Sequence, residues 1–304
     1  LLKLDDATGN DRYRELARHF IDIRGVDSEF YLTEAEERDW QVWGNNAKDF
    51  KYQQSDVPVR QLKDATGHSV RAVYLYTAMA DLAAETGEQE LMDACRRLWN
   101  SITQKRMYVT GGIGSTVLGE AFTEDYDLPN NTAYAETCAS IGLMFFASRM
   151  LEEDVNGEYA DVMERAFYNT VLAGMQLDGK NFFYVNPLEV LPGISGVAPT
   201  HRHTLPQRPT WYACACCPPN VARLLASLGK YVYGQEETTL YAHLYVGGSA
   251  EFDIPSGKVT LTQETNYPWD GKVTLTVTPQ TAGRFTVALR LPGWCESPPV
   301  KVNG

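Results

Sequence analysis

Basic residues are in short supply: 27 Lys and Arg stand against 39 Asp and Glu, for a formal charge of −12. With no Lys/Arg cluster to neutralise successive phosphates, nucleic acid and anionic membrane are excluded as natural partners. Histidine is rare too, at five residues. No uninterrupted apolar run reaches the roughly 18 residues that a membrane helix needs, and nothing at the start resembles a secretory signal. Six cysteines in 304 residues are too sparse for a disulfide-dependent scaffold. An initiator Met is also missing: Leu1 leads directly into a helical pattern, so the sequence reads as part of a longer protein.

What is present is an ordinary globular composition, 44% hydrophobic, with enough apolar material for a sizeable core. Tyr13, Leu16, Ala17, Phe20 and Ile23 or Arg24 follow helical spacing up to Gly25. "GHSVRAVYLYTAMADLAAETG" predicts a helix from about His68 to Thr86, closed by Gly87, and "EQELMDACRRLWNSITQKRM" its antiparallel neighbour. Residues 108–131, rich in Gly, Asp and Asn, read as a long loop of the kind that often carries function. Helices over about Thr132–Glu153 and Glu158–Met175 follow, then a hairpin or strand at "NFFYVNPLEV". Val221, Leu224, Leu225 and Leu228 mark one more helix.

Near Gly234 the period changes. Leu240, Ala242, Leu244 and Val246 alternate with Tyr241, His243 and Tyr245, and "KVTLTQET", "KVTLTVT" and "RFTVALRL" repeat the pattern, with Asp270-Gly271 as a turn. An antiparallel β region follows from this. The expected fold is mainly α with C-terminal β: a toroid of helical hairpins over 1–234, followed by a β-sandwich portion over 235–304. About six helices are visible, roughly half of a closed double ring, so the chain reads as a fragment of a longer protein.

Chemistry concentrates in two segments, "YAETCASIG" with Glu136 and Cys138, and "CACCPPN" with Cys214, Cys216 and Cys217. Residues two apart on a regular helix point about 200° from each other, so Glu136 and Cys138 converge only from an irregular first turn. Pro218 pushes its predecessor towards extended backbone, and either proline suits a helix start. Thiols there meet the positive end of the helix dipole, which favours thiolate. Three thiolates and a carboxylate make an acceptable zinc site; the competing reading is buried cysteines packing as small hydrophobes. In "GEAFTEDYDLPNN", Glu120, Glu124, Asp125 or Asp127 could serve as a general acid, against a solvated acidic loop. His68 opens a helix, where capping is the plainer role, and His201 and His203 form an H-x-H pair more often solvated than metal-bound.

At "GGIGS", "GEAFTEDYDLPN", "YAETCASIG", "FFYVNPLE" and "CACCPPNVARLLASLGKYVY" the sequence closely resembles glycoside hydrolase family 127, the bacterial β-L-arabinofuranosidase family. The resemblance implies an (α/α)6 barrel followed by β-sandwich domains, with this chain starting midway through the barrel. It implies zinc held by Glu136, Cys138, Cys216 and Cys217, with Cys214 outside the coordination sphere. Cys216 corresponds to the nucleophile, Glu120 to the acid/base, His68 to a substrate-binding histidine, and Tyr184 to an active-site neighbour. The implied enzyme is a zinc-dependent retaining glycosidase releasing non-reducing-end β-L-arabinofuranose from an arabinoside or small oligosaccharide. Two alternatives stand beside it: a non-catalytic carbohydrate-binding or structural zinc module, and a glycosidase for a different pentose-like sugar. A reduced thiolate site favours the cytoplasm, and a homo-oligomer stays open.

Overall fold

The computed structural model describes residues 1–39, 47–296, 299 and 301. The last residues of the expected second domain, 302–304, lie outside the described set. Three N-terminal helices come first: α1 (Leu2–Thr8), α2 (Arg12–Ile23) and α3 (Phe30–Arg38). The apolar spacing anticipated α2, but α1 and α3 carry no comparable stripe. Next come α4 (Ser69–Thr86) and α5 (Gln89–Lys105), within a residue or two of expectation, with Gly87 left-handed between them.

The long loop after α5 delivers the chain to α6 (Thr137–Glu153), the central helix, with 13 of its 17 residues buried. It starts five residues later than periodicity suggested. Residues 134–137 give backbone groups to the "FFYVNP" segment instead: Thr137 N–H donates to Tyr184 O at 3.0 Å, and Asn186 N–H to Tyr134 O at 3.1 Å. That segment is not the expected strand or hairpin. It makes only isolated bridges, Glu136 with Val185 and Met175 with Phe182, because its partners are irregular loop.

Helix α7 (Gly157–Ala166) runs into a π-helical stretch, Phe167–Leu172. Tyr76, Leu98, Ile102, Met144 and Phe146 of α4, α5 and α6 are fully buried in one core, where each large side chain contributes roughly 1.5–3 kcal/mol. Trp99 packs edge-on to Phe146 and to Tyr159 of α7, at 5.7 and 4.9 Å between ring centres. Helix α8 (Cys217–Ala226) and the single turn α9 (Gly229–Val232) end the helical part.

Among the described residues six strands follow: β1 (Tyr233–Glu236), β2 (Thr239–Ala242), β3 (Gly248–Ile254), β4 (Gly257–Thr265), β5 (Val273–Pro279) and β6 (Thr286–Leu289). They form two three-stranded sheets, ordered β1-β2-β6 and β3-β4-β5. Leu240 of the first meets Ile254, Val259 and Leu261 of the second in a shared core, the arrangement of a sandwich. One expectation fails: β6 joins β2 in parallel, Leu240 opposite Val287, so the region is not wholly antiparallel. Alternation identifies a strand but carries no information about its neighbour's direction. Among the described residues no helix is long and apolar enough to cross a membrane.

Candidate active site

A cavity of about 850 Å³ opens on the helical part, walled by the start of α4, the loop before α6, and the start of α8. On one wall, Cys216 is the N-cap of α8 and Cys217 its first residue. The helix therefore begins before Pro218, whose predecessor is helical and not extended as expected. Both thiols turn towards α6, and this tertiary clustering outweighs the local bias of a residue preceding proline.

Glu136 is the N-cap of α6 and Cys138 lies in its first turn, the irregular geometry that lets i and i+2 converge. Cys138 Sγ lies 3.6 Å from Cys216 Sγ and 3.3 Å from Cys217 Sγ, and the latter two are 3.8 Å apart. Glu136 Oε1 is 3.4 Å from Cys216 Sγ and 3.6 Å from Cys217 Sγ. All four ligand atoms fall within 4.8 Å of one another.

Two observations test this donor set against a metal ion. A tetrahedral zinc with sulfur at about 2.3 Å has S···S edges of about 3.8 Å, and the separations here sit at or slightly inside that length. Glu136 is 1% exposed, yet among the described residues its Oε2 has no hydrogen-bond partner, a cost that coordination would offset. The acid–base balance agrees. Burial, then the neighbouring Cys216 and Glu120, push the Glu136 carboxyl up to about 9. Burial also raises the Cys217 thiol, while hydrogen bonds from Cys216 and Cys217 bring Cys138 down to about 5. Glu136 and Cys217 resist ionisation beside the Cys138 thiolate, and a cation among them would relieve that resistance.

Across the cavity, His68 caps α4: its Nδ1 accepts from Val70 N–H at 3.2 Å. The proton is thereby assigned to Nε2, which lies 3.0 Å from Glu120 Oε2. The side chain that caps α4 thus also lines the cavity. Burial pushes the Glu120 carboxyl upward, but hydrogen bonds from His68 and Tyr134 hold it below the usual carboxylate range. Glu120, His68 and Glu136 also place ligand atoms within 4.8 Å of one another, which makes Glu136 the link between the two walls.

Tyr184 is 3% exposed, and its hydroxyl is 3.1 Å from Cys216 Sγ. Burial and the nearby Glu136 raise its pKa, so it stays a phenol able to donate to the sulfur in its thiolate form. Its ring stacks on Tyr212 at 4.4 Å and meets Tyr134 edge-on at 6.2 Å. Tyr134 and Tyr212 escaped the sequence reading; the only signal was their position beside "AETC" and "ACACC".

The competing carboxylates separate cleanly. Glu124, Asp125 and Asp127 are exposed, and Asp125 is bound by Lys105 and Arg106, whereas Glu120 faces the cavity. Cys214 is exposed on the cavity rim, outside the thiol cluster. His203 bonds Thr132 O at 3.1 Å and His201 bonds Thr200 Oγ1 at 2.9 Å; among the described residues neither joins a metal-binding group.

Comparison with known proteins follows the same lines. Residues 1–230 match the β-L-arabinofuranosidase GH127 catalytic domain, and residues 239–304 the GH127 middle domain. A non-reducing end β-L-arabinofuranosidase of Bifidobacterium longum subsp. longum is 43% identical over all of this chain and 47% of its own length. The crystal structure of a GH127 β-L-arabinofuranosidase from Geobacillus stearothermophilus T6 superposes with a TM-score of 0.92 at 53% identity, covering 97% of this chain and 46% of that one. A second GH127 β-arabinofuranosidase structure gives 0.81 at 39% identity, over 96% of this chain and 41% of that one. The chain thus spans about half the length of these relatives. With the helical part matched over 1–230 and the strands from β2 onward over 239–304, the chain belongs to glycoside hydrolase family 127.

Proposed function

We propose that this chain carries the catalytic face of a zinc-dependent retaining glycosidase that releases β-L-arabinofuranose from the non-reducing end of small arabinosides. The observation that carries the reading is the meeting of a thiol cluster and a His-held glutamate across one cavity, with Glu136 between them. The sugar follows from relatives named for it.

Glu136, Cys138, Cys216 and Cys217 are the residues that would hold zinc. Zinc, when bound, supplies the positive charge that lets these groups stay ionised together at neutral pH. Cys216 Sγ then attacks the anomeric carbon; the C–S bond forms as the glycosidic C–O bond breaks. Tyr184 holds the sulfur on line through its hydroxyl. Glu120 gives its proton to the departing oxygen, then takes one from water as that water displaces the sulfur, so configuration at the carbon is retained.

In the open cavity Glu120 is a carboxylate, the form that acts as base. A sugar seated over it removes water and strengthens the burial effect, which favours the protonated acid. His68 orients it throughout. The division of labour over 1–234 and 235–304, with the first part as half of a helical toroid, belongs to the same reading. Six unpaired cysteines support a cytoplasmic location.

Elemental mass spectrometry of the chain under reducing conditions is expected to find about one zinc per molecule, and synthetic β-L-arabinofuranosides to be hydrolysed with retention. Cys216→Ser should abolish turnover and leave the fold intact. A folded sample without zinc would sink the ligand set. A Cys216→Ser protein that loses stability in a chain never active would indicate a structural zinc module instead.

A further inference from the structure

The "FFYVNP" motif places a second polar side chain against the site. Asn186 Nδ2 donates to Ala135 O at 2.9 Å and to Thr137 Oγ1 at 3.0 Å, the two residues flanking Glu136. Thr137 Oγ1 passes its own proton to Phe183 O at 2.8 Å. Both amide hydrogens are thus used, and a flipped amide would set Oδ1 against the Ala135 carbonyl, so only one orientation fits. Space is tight as well: a Cβ on Gly174 would lie 3.2 Å from Asn186 Oδ1 and 3.4 Å from Thr137 Oγ1.

The clamped backbone is an unusual one. Ala135 is fully buried with φ 41°, in the left-handed region that a non-glycine residue rarely adopts. The Glu136 side chain makes no capping bond to α6, and its Oε1 meets Cys216 and Cys217 instead. The backbone at 135–137 sets the point and direction from which that side chain departs. We propose that Asn186, acting through Thr137 and the Ala135 carbonyl, is a positioning residue that aims Glu136 at the three thiols. The inference rests on the zinc ligand set proposed above and adds what holds its one oxygen donor in place.

The test is a cobalt(II) and zinc titration of the whole 304-residue chain. Asn186→Asp keeps the side-chain shape and removes both donors; Thr137→Val removes the hydroxyl from the other side of the clamp. Asn156→Ala, which strips the side-chain cap from α7, is the control for a purely structural loss. In both clamp variants the thiolate-to-cobalt charge-transfer bands should remain, the ligand-field bands should shift, and zinc affinity should fall about 10- to 100-fold. The control should melt earlier with unchanged spectrum and affinity. Wild-type affinity and spectrum in both clamp variants would overturn the proposal, as would an equal loss of affinity in the control. Missing thiolate bands in the wild-type protein would remove the ligand set itself, and this inference with it.

Discussion

Glu120 stands on backbone that few side chains accept. Its φ is 54° and that of Gly119 is 69°, two left-handed residues in succession. At Gly119 a Cβ would also sit 2.4 Å from the Tyr52 ring, whose hydroxyl donates to Gly119 O at 3.0 Å. Ser69 Oγ holds the Glu120 carbonyl at 3.1 Å. The strain is stored where a carboxylate must be presented to a cavity. Glu120→Gln keeps this backbone and its shape, so we expect an unchanged melting curve and a kcat lower by roughly 10²- to 10⁴-fold on arabinofuranosides. Activity close to wild type would rule out the acid/base role proposed for Glu120. Composition and spacing did not single out Glu120 among the four loop carboxylates; the family resemblance did. The left-handed pair that separates it from its exposed neighbours depends on contacts with Tyr52 and Ser69, far away in sequence.

At the scale of elements, α4 and α6 cross so closely that Gly142 has no room for a side chain. A Cβ there would fall 2.4 Å from Val73 Cγ2, and valine has little rotamer freedom on a helix with which to yield. Gly142→Ala should raise local helix propensity yet destabilise the protein by about 1–3 kcal/mol, read as a lower melting temperature. A higher melting temperature would mean that the helices part without cost. Helices α4 and α5 were legible because the stripe, the stop and the start all lie within each segment. The beginning of α6 was not, because the choice between helix and loop at 132–136 is made by hydrogen bonds to residues 182–186. The isolated bridges of "FFYVNP" were misread as strand for the same reason.

Across the whole molecule, Arg290 ties the strands to the helices. Its guanidinium binds Asp161 and Glu164 of α7 and, through Nε, His243 O at 2.6 Å, with the Arg290 side chain 3% exposed. Tyr267 and Trp294 donate to the same Glu164. Arg290→Met should cost about 3 kcal/mol, because it leaves the buried Glu164 carboxylate without its counter-ion. Adding Glu164→Gln should recover much of that loss in chemical denaturation, and no recovery would count against the ion pair as the cause.

The sequence by itself determined the two kinds of period, the place near Gly234 where one yields to the other, and the residue types of the site. Those are local properties: a stripe or an alternation is complete within a dozen residues. Only the tertiary structure decided that β2 and β6 run parallel, and that Glu136 lies beside Cys216, 80 residues away. Its pairing of Glu120 with His68 spans a comparable gap. Such meetings depend on how whole helices pack and where buried backbone finds its partners. No window of neighbouring residues contains that information.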